Sequence, residues 1–227
     1  TQTGVAVSAS QVWAANGSNE ILQQLLQAFG GPGRVSLGFT PGYSMHELIS
    51  HATGTTFVPE PRAGLLLPTE RIVAAVEEHR PDVLFLCSPN NPTGDSLPLA
   101  AIEAAYYAEF ASVDSAITLL AGRPRLIVTR TMSKAFAFAG ARVGYLAADP
   151  GVIDALLLVR LPYHLSALTQ SAAEVAISYA PRLTDQIRQL CATRDEFVAT
   201  VTDDGWVCPP SDANFVLIGP FSDPPQA

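Results

Sequence analysis

Lys134 is the only lysine among the 227 residues. It lies in Thr131-Met132-Ser133-Lys134-Ala135-Phe136-Ala137-Phe138-Ala139-Gly140-Ala141-Arg142, a stretch too apolar for an ordinary solvated surface. Burial among apolar groups favours a lysine's neutral amine, the form that attacks a carbonyl and makes a Schiff base. The plain alternative is a composition that uses arginine at nearly every basic position and has left one lysine by accident. The neighbouring residues have to decide between the two.

Four further features fall at strand ends or helix starts. Ser88-Pro89-Asn90-Asn91-Pro92-Thr93-Gly94 follows the most apolar strand, and Asn91 could donate an amide hydrogen bond to a ligand oxygen. The same residue types also make plain turns. Asn16-Gly17-Ser18-Asn19-Glu20 opens a helix, where free N–H groups and the helix dipole attract a phosphate; capping explains it as well. Arg142 brings a planar cationic fork suited to phosphate, unless it is simply an exposed arginine at a strand start. Tyr43, in Thr40-Pro41-Gly42-Tyr43, can stack on a flat ring or pack in its own turn. A Schiff-base lysine, an anion-binding helix start, an arginine, an amide and a stacking ring together suit pyridoxal 5′-phosphate.

The elements that must position these groups follow from periodicity. Ile21, Leu22, Leu25, Leu26 and Phe29 have helical spacing from Ser18 onward, ending at Gly30-Gly31-Pro32-Gly33. Strands are expected at 35–39, 55–58, 82–87, 125–129 and 142–147, and helices near 44–51 and 70–79. The stretch 82–87 is apolar throughout, as in a strand covered on both faces. Helices alternating with short apolar strands predict an α/β fold, a mainly parallel sheet with helices on both faces, and ligands at the carboxyl ends of the strands. After Pro150 the chain reads as helical over 152–159 and 166–201, with Pro181 a break or a fresh start. Short strands are expected at 205–207 and 215–218. The division is a large cofactor-binding domain over 1–180, then a connecting helix and the beginning of a smaller α+β domain over 181–227.

Composition narrows the function. A net charge of −8 and a pI near 4.9, with twelve scattered arginines, argue against nucleic-acid or anionic-membrane binding. Cys87, Cys191 and Cys208 lack metal-ligand spacing and read as reduced thiols of a cytoplasmic protein. His46, His51, His79 and His164 also lack such spacing, so no metal is assigned. No run of about 18 apolar residues occurs, and Thr1-Gln2-Thr3-Gly4 does not resemble a signal peptide. The expectation is a chain that neither spans a membrane nor is exported.

The sequence resembles the fold-type I aminotransferases, most closely their histidinol-phosphate aminotransferase branch. The resemblance rests on Ala15 to Glu20, Ser88 to Gly94, Thr131 to Tyr145, Arg160-Leu161-Pro162-Tyr163-His164-Leu165-Ser166 and Pro210-Ser211-Asp212-Ala213-Asn214-Phe215, in family order. It implies that Lys134 holds pyridoxal phosphate covalently and serves as general base. Asn91 and Tyr107 would bond the ring's phenolic oxygen, and Tyr43 would stack on the pyridine. Thr131, Ser133, Arg142 and the amides of Ser18 and Asn19 would cradle the phosphate, with Asn214 on the substrate side. The implied reaction is a reversible amino transfer from histidinol phosphate to 2-oxoglutarate in histidine synthesis, by a homodimer. Rivals are an aromatic amino-acid aminotransferase of the same branch, a decarboxylase of phosphorylated amino acids, and a cofactor-binding relative without turnover.

One departure from the family pattern motivates the last rival. The family sets an aspartate opposite the pyridine nitrogen, in an Asp-Glu-Ala-Tyr word that ends a strand. Here the matching stretch is Glu103-Ala104-Ala105-Tyr106-Tyr107-Ala108-Glu109-Phe110, with Ala104 three residues before Tyr107. A helix runs directly into Tyr107 where that strand is expected. Either Glu103 or Glu109 replaces the acid, or both are surface carboxylates.

Overall fold

The computed structural model describes residues 6–106 and 116–219. In chain order the elements are β1 (Val12–Ala15), α1 (Ser18–Phe29), β2 (Val35–Thr40), α2 (Met45–Ala52), β3 (Thr56–Pro61), α3 (Thr69–His79), β4 (Val83–Leu84), α4 (Leu99–Tyr106), β5 (Val128–Thr131), β6 (Gly144–Ala147), α5 (Pro150–Val159), α6 (Ala167–Ser178) and α7 (Ala180–Asp203). The α/β class is as expected, and the strands form two three-stranded groups. In the order β3-β2-β4 all neighbours are parallel; in β1-β6-β5 the central β6 runs antiparallel to both neighbours.

α1 joins the two groups, because its apolar residues cover two faces. Ile21 and Leu25 pack with Trp13, Leu146, Ile153 and Leu156, the core between β1, β6 and α5. Leu22 and Leu26 pack with Ile49 and Phe85, against α2 and the segment after β4. These four aliphatic side chains are buried, each contributing about 1.5–3 kcal/mol of transfer free energy. Trp13 can enter this core because its indole N–H donates to Gln24 Oε1 at 2.8 Å. A third core, built on Leu37, Phe39, Ile72, Ala75 and Ala101, seats α3 and α4 on the parallel group.

Several expectations need correction. The stretch 82–87 forms only a two-residue ladder with β2, and most of it is half-buried rather than covered on both faces. Among the described residues β4 is paired on one edge only, with β2, while α4 follows where the sequence reads as a helix start. Asp82 fixes the register instead. Its carboxylate accepts from the Val35 amide and from Arg34 Nη1, both at 2.9 Å, and the Val35 bond, followed by the Arg34 interactions, holds it below the usual carboxylate range. β1 was not anticipated at all. Between Val207 and Gly219 there is an isolated antiparallel bridge in place of two strands. Pro181 does mark a fresh start, in the first turn of α7.

Candidate active site

The register of the antiparallel group aligns Thr131, Gly144 and Ala15 in one row. β1 and β5 therefore end, and β6 begins, at the same edge. The segments leaving that edge carry Asn16 to Asn19, Ser133-Lys134 and Arg142. Two glycines allow these backbones to meet. Gly17 has φ +81° and ψ 170°, and a Cβ there would sit 2.6 Å from Arg142 Nη2. A Cβ on Gly144 would lie 2.5 Å from both Gly17 C and Ser18 N. The guanidinium of Arg142 thus lies directly against the turn that opens α1.

The lysine segment is folded onto β6 by the Met132 amide donating to Val143 O at 3.0 Å and the Ala137 amide to Lys134 O at 2.9 Å. Arg142, itself at φ +54°, donates through Nη1 to Ser133 Oγ at 3.4 Å and Ala139 O at 3.2 Å. The Ser133 amide donates to Thr131 Oγ1 at 3.2 Å. First-turn amides of a helix have no intrahelical acceptor, so Ser18 and Asn19 present N–H groups at the same place as the guanidinium and two hydroxyls. This donor set could hold an anion, and glycine at position 17 lets the Arg142 guanidinium, which a Cβ would meet at 2.6 Å, approach the helix start. It fits the phosphate of pyridoxal phosphate.

Lys134 is exposed. The apolar burial expected from its neighbours is therefore not found: Ala135, Ala137 and Ala139 are exposed as well, and the phenylalanines are half-buried. What singles out the lysine is its position three residues beyond the end of β5, beside the cradle.

The ring side of the site is built from two loops. Tyr43 donates from its hydroxyl to Asn19 Oδ1 at 2.8 Å, which ties it to the start of α1. Its ring meets His46 edge-on at 5.5 Å, and His46 stacks on Phe85 at 4.4 Å. Burial pushes the His46 imidazole down to about 4, so it is neutral at neutral pH. The turn into Tyr43 requires Gly42, whose Cβ would collide with Phe39 O. Asn91 is exposed on the second loop, which neighbouring Asn90 anchors by donating from Nδ2 to Pro41 O at 3.1 Å. Cys87 lies at the base of this loop, and burial pushes its thiol up. The segment holding Asn214 docks on the same loop, with the Asp212 amide donating to Gly94 O at 2.8 Å and Asn214 exposed.

The predicted residues thus gather as one cradle group (Ser18, Asn19, Thr131, Ser133, Lys134, Arg142), with Tyr43 bonded to it, and an Asn91 loop that carries Asn214. Tyr107 and Glu109 lie outside the described residues. Glu103 is paired with Arg123 at 2.7 Å, and its side chain is 12% exposed, so it is not the surface carboxylate that one reading expected. Sequence reasoning passed over Gly17, Gly144 and Asn90. The signal for the glycines was their place in the motifs, immediately before the helix start and two residues beyond Arg142.

A larger cavity of about 580 Å³ is lined by Trp13, Arg160, Tyr163 and His164 among others. His164 stacks on Trp13 at 5.0 Å and its carbonyl accepts from Asn16 Nδ2, so the Arg160–Ser166 motif adjoins the start of α1.

A family profile described as "Aminotransferase class I and II" matches residues 1–224. The histidinol-phosphate aminotransferase of Nocardia farcinica is 54% identical over 240 aligned positions, covering all of this chain and 62% of that protein. That of Mycolicibacterium smegmatis is 52% identical, covering 98% of this chain and 63% of its own length. The chain thus spans less than two thirds of these relatives. The 240 positions exceed the 227 residues here, so the Nocardia protein has residues inside the matched region without a counterpart in this chain. Among solved structures, the Sinorhizobium meliloti histidinol-phosphate aminotransferase in complex with pyridoxal-5′-phosphate superposes with a TM-score of 0.82 at 25% identity, covering 93% of this chain and 62% of that one. The chain belongs to the class I and II aminotransferase family.

Proposed function

We propose that this chain is the cofactor-binding part of a pyridoxal-phosphate-dependent aminotransferase that interconverts histidinol phosphate and imidazole-acetol phosphate, with 2-oxoglutarate and glutamate as the second pair. The observation that carries the reading is the lone lysine set beside an anion cradle made by a helix start, Arg142, Thr131 and Ser133. Identity above 50% to relatives of that name supports the substrate.

When bound, pyridoxal phosphate supplies an aldehyde on an electron-withdrawing ring, which labilises the α-proton of an amino donor. Lys134 Nζ would tether the group and, when freed from it, would take that proton as general base. Arg142, Thr131, Ser133 and the amides of Ser18 and Asn19 would hold the phosphate. Tyr43 would stack on the ring and Asn91 would donate to its phenolic oxygen, with Tyr107, outside the described residues, as a second donor by family resemblance. Asn214 would lie on the substrate side.

Residues 181–227 would lead into a second domain and the protein would act as a homodimer. Leu158, Leu161, Tyr163 and Leu168, between 73% and 96% exposed, support an apolar surface that another part of the assembly covers. Three unpaired cysteines support a reducing, cytoplasmic setting. No described helix is long and apolar enough to cross a membrane.

The engagement of Glu103 by Arg123 favours a second reading, a relative that binds the cofactor without turning over. Adding histidinol phosphate and, separately, phenylalanine to the cofactor-loaded protein tests both. Conversion of the bound cofactor to its amine form by histidinol phosphate supports the first reading; conversion by phenylalanine alone identifies an aromatic aminotransferase; conversion by neither supports the second.

A further inference from the structure

We infer that Arg62 is a positioning residue that sets the separation of the two loops between which the cofactor ring sits; this rests on the cofactor reading above. Arg62 lies far along the chain from every cradle residue, yet its side chain is only 1% exposed. Its backbone amide donates to Thr40 O at 2.9 Å, at the start of the turn that leads to Tyr43. Its guanidinium donates to Leu65 O through Nε at 3.2 Å and Nη2 at 3.0 Å, and Nη2 also pairs with Asp95. Asp95 closes the Asn91 loop. Its other carboxylate oxygen accepts from Thr93 Oγ1, which accepts from Asn90 Nδ2 at 2.7 Å. Asn90 in turn donates to Pro41 O, and its backbone amide donates to Asp95 O at 2.8 Å.

The result is a closed ring of polar contacts: Thr40 and Pro41 on one side, Asn90, Thr93 and Asp95 on the other, with Arg62 spanning them. Asn90 and Thr93 are each 1% exposed, so their hydrogen bonds are shielded from bulk water. Two apolar side chains would fill this volume without the cost of desolvating two charges. What an ion pair with directed hydrogen bonds adds is a fixed spacing. Tyr43 lies two residues beyond Pro41, and Asn91 lies inside the Asn90–Asp95 loop, so any slackening of the ring is passed to the two side chains that would contact the cofactor ring. The phosphate cradle, on the other group of strands, is outside the network.

The test uses the full chain as wild type, Arg62→Lys, Arg62→Met and Asp95→Asn. Pyridoxal phosphate affinity is read from the visible absorbance band formed with Lys134, together with the pH midpoint of that band; inorganic phosphate is titrated as a competitor. The expected result is that Arg62→Met and Asp95→Asn weaken pyridoxal phosphate about tenfold or more and shift the band's pH midpoint, with partial rescue by Arg62→Lys and an unchanged inhibition constant for phosphate. Should Arg62→Met not fold by circular dichroism, Asp95→Asn decides. Folded variants that bind the cofactor within about twofold of wild type with the same midpoint overturn the inference. So does an equal loss for phosphate and cofactor, which marks a general structural role. A wild-type chain without any band overturns the cofactor reading itself, and this inference with it.

Discussion

Replacing Gly17 by alanine separates strain from ligand affinity. The residue sits at φ +81° and ψ 170°, a region essentially closed to side chains, and the new methyl would meet Arg142 Nη2 at 2.6 Å. Holding alanine there costs about 1–3 kcal/mol. If the ligand-free chain keeps the turn, that cost falls on folding. If the turn relaxes and the guanidinium swings away, the cost falls on binding, where it weakens the phosphate ligand by about fivefold to about 150-fold. The two losses must together reach at least about 1 kcal/mol. Urea unfolding of the ligand-free protein measures the first, and titrations with pyridoxal phosphate and with unphosphorylated pyridoxal measure the second. Pyridoxal phosphate should lose more than pyridoxal, because the displaced cation faces the phosphate. Unchanged stability together with unchanged affinities, or an equal loss of affinity for both compounds, would refute the cradle assignment.

Other outcomes follow from the same structure. His46 is neutral when folded, with its value lowered from 6.5 to about 4 by burial, so the unfolded chain binds its proton more readily. Stability should be full above about pH 6.5, decline by about 3 kcal/mol as pH falls toward 4, and level off below that. His46→Phe should remove that slope between neutral pH and about pH 5 in paired urea titrations, and an unchanged slope would contradict the assignment. Leu26→Ala, at a side chain with 0% exposure, should cost about 2–5 kcal/mol and lower the thermal midpoint, because it opens the contact between the two groups of strands. Two helix caps should differ. Asp149 accepts from the Gly151 amide at 2.9 Å at the start of α5, a helix with a buried face, so Asp149→Ala should cost about 1 kcal/mol globally. Ser166 accepts from the Thr169 amide at 3.1 Å at the start of α6, which has no buried residue, so Ser166→Ala should speed hydrogen exchange in α6 and leave the thermal midpoint alone.

The elements with strong apolar spacing were legible. α1 follows Ile21, Leu22, Leu25 and Leu26 to its glycine end, and α3 and α5 behave likewise, since burial of one face fixes both period and length. β1 was not legible because Val12–Ala15 is four residues long and owes its existence to pairing with β6, a contact distant in sequence. The stretch 82–87 read as a covered strand from its composition, but a ladder needs a neighbour, and among the described residues β4 has one only in β2. The candidate site was legible where motifs sat at element ends, as at Ser18, Thr131, Lys134 and Arg142. The burial expected of Lys134 was not, because an apolar sequence does not say which of its side chains face outward. Arg62 carried no signal either: a buried arginine looks like any other until its partners, here Asp95 and the carbonyl of Leu65, are seen around it.

The most direct test of the central claim is an absorbance titration of the purified chain with pyridoxal phosphate, followed by histidinol phosphate, with Lys134→Ala in parallel. The account predicts a visible band that Lys134→Ala abolishes and that histidinol phosphate converts to the spectrum of the amine form. A wild-type chain that gives the same spectrum as Lys134→Ala would contradict it.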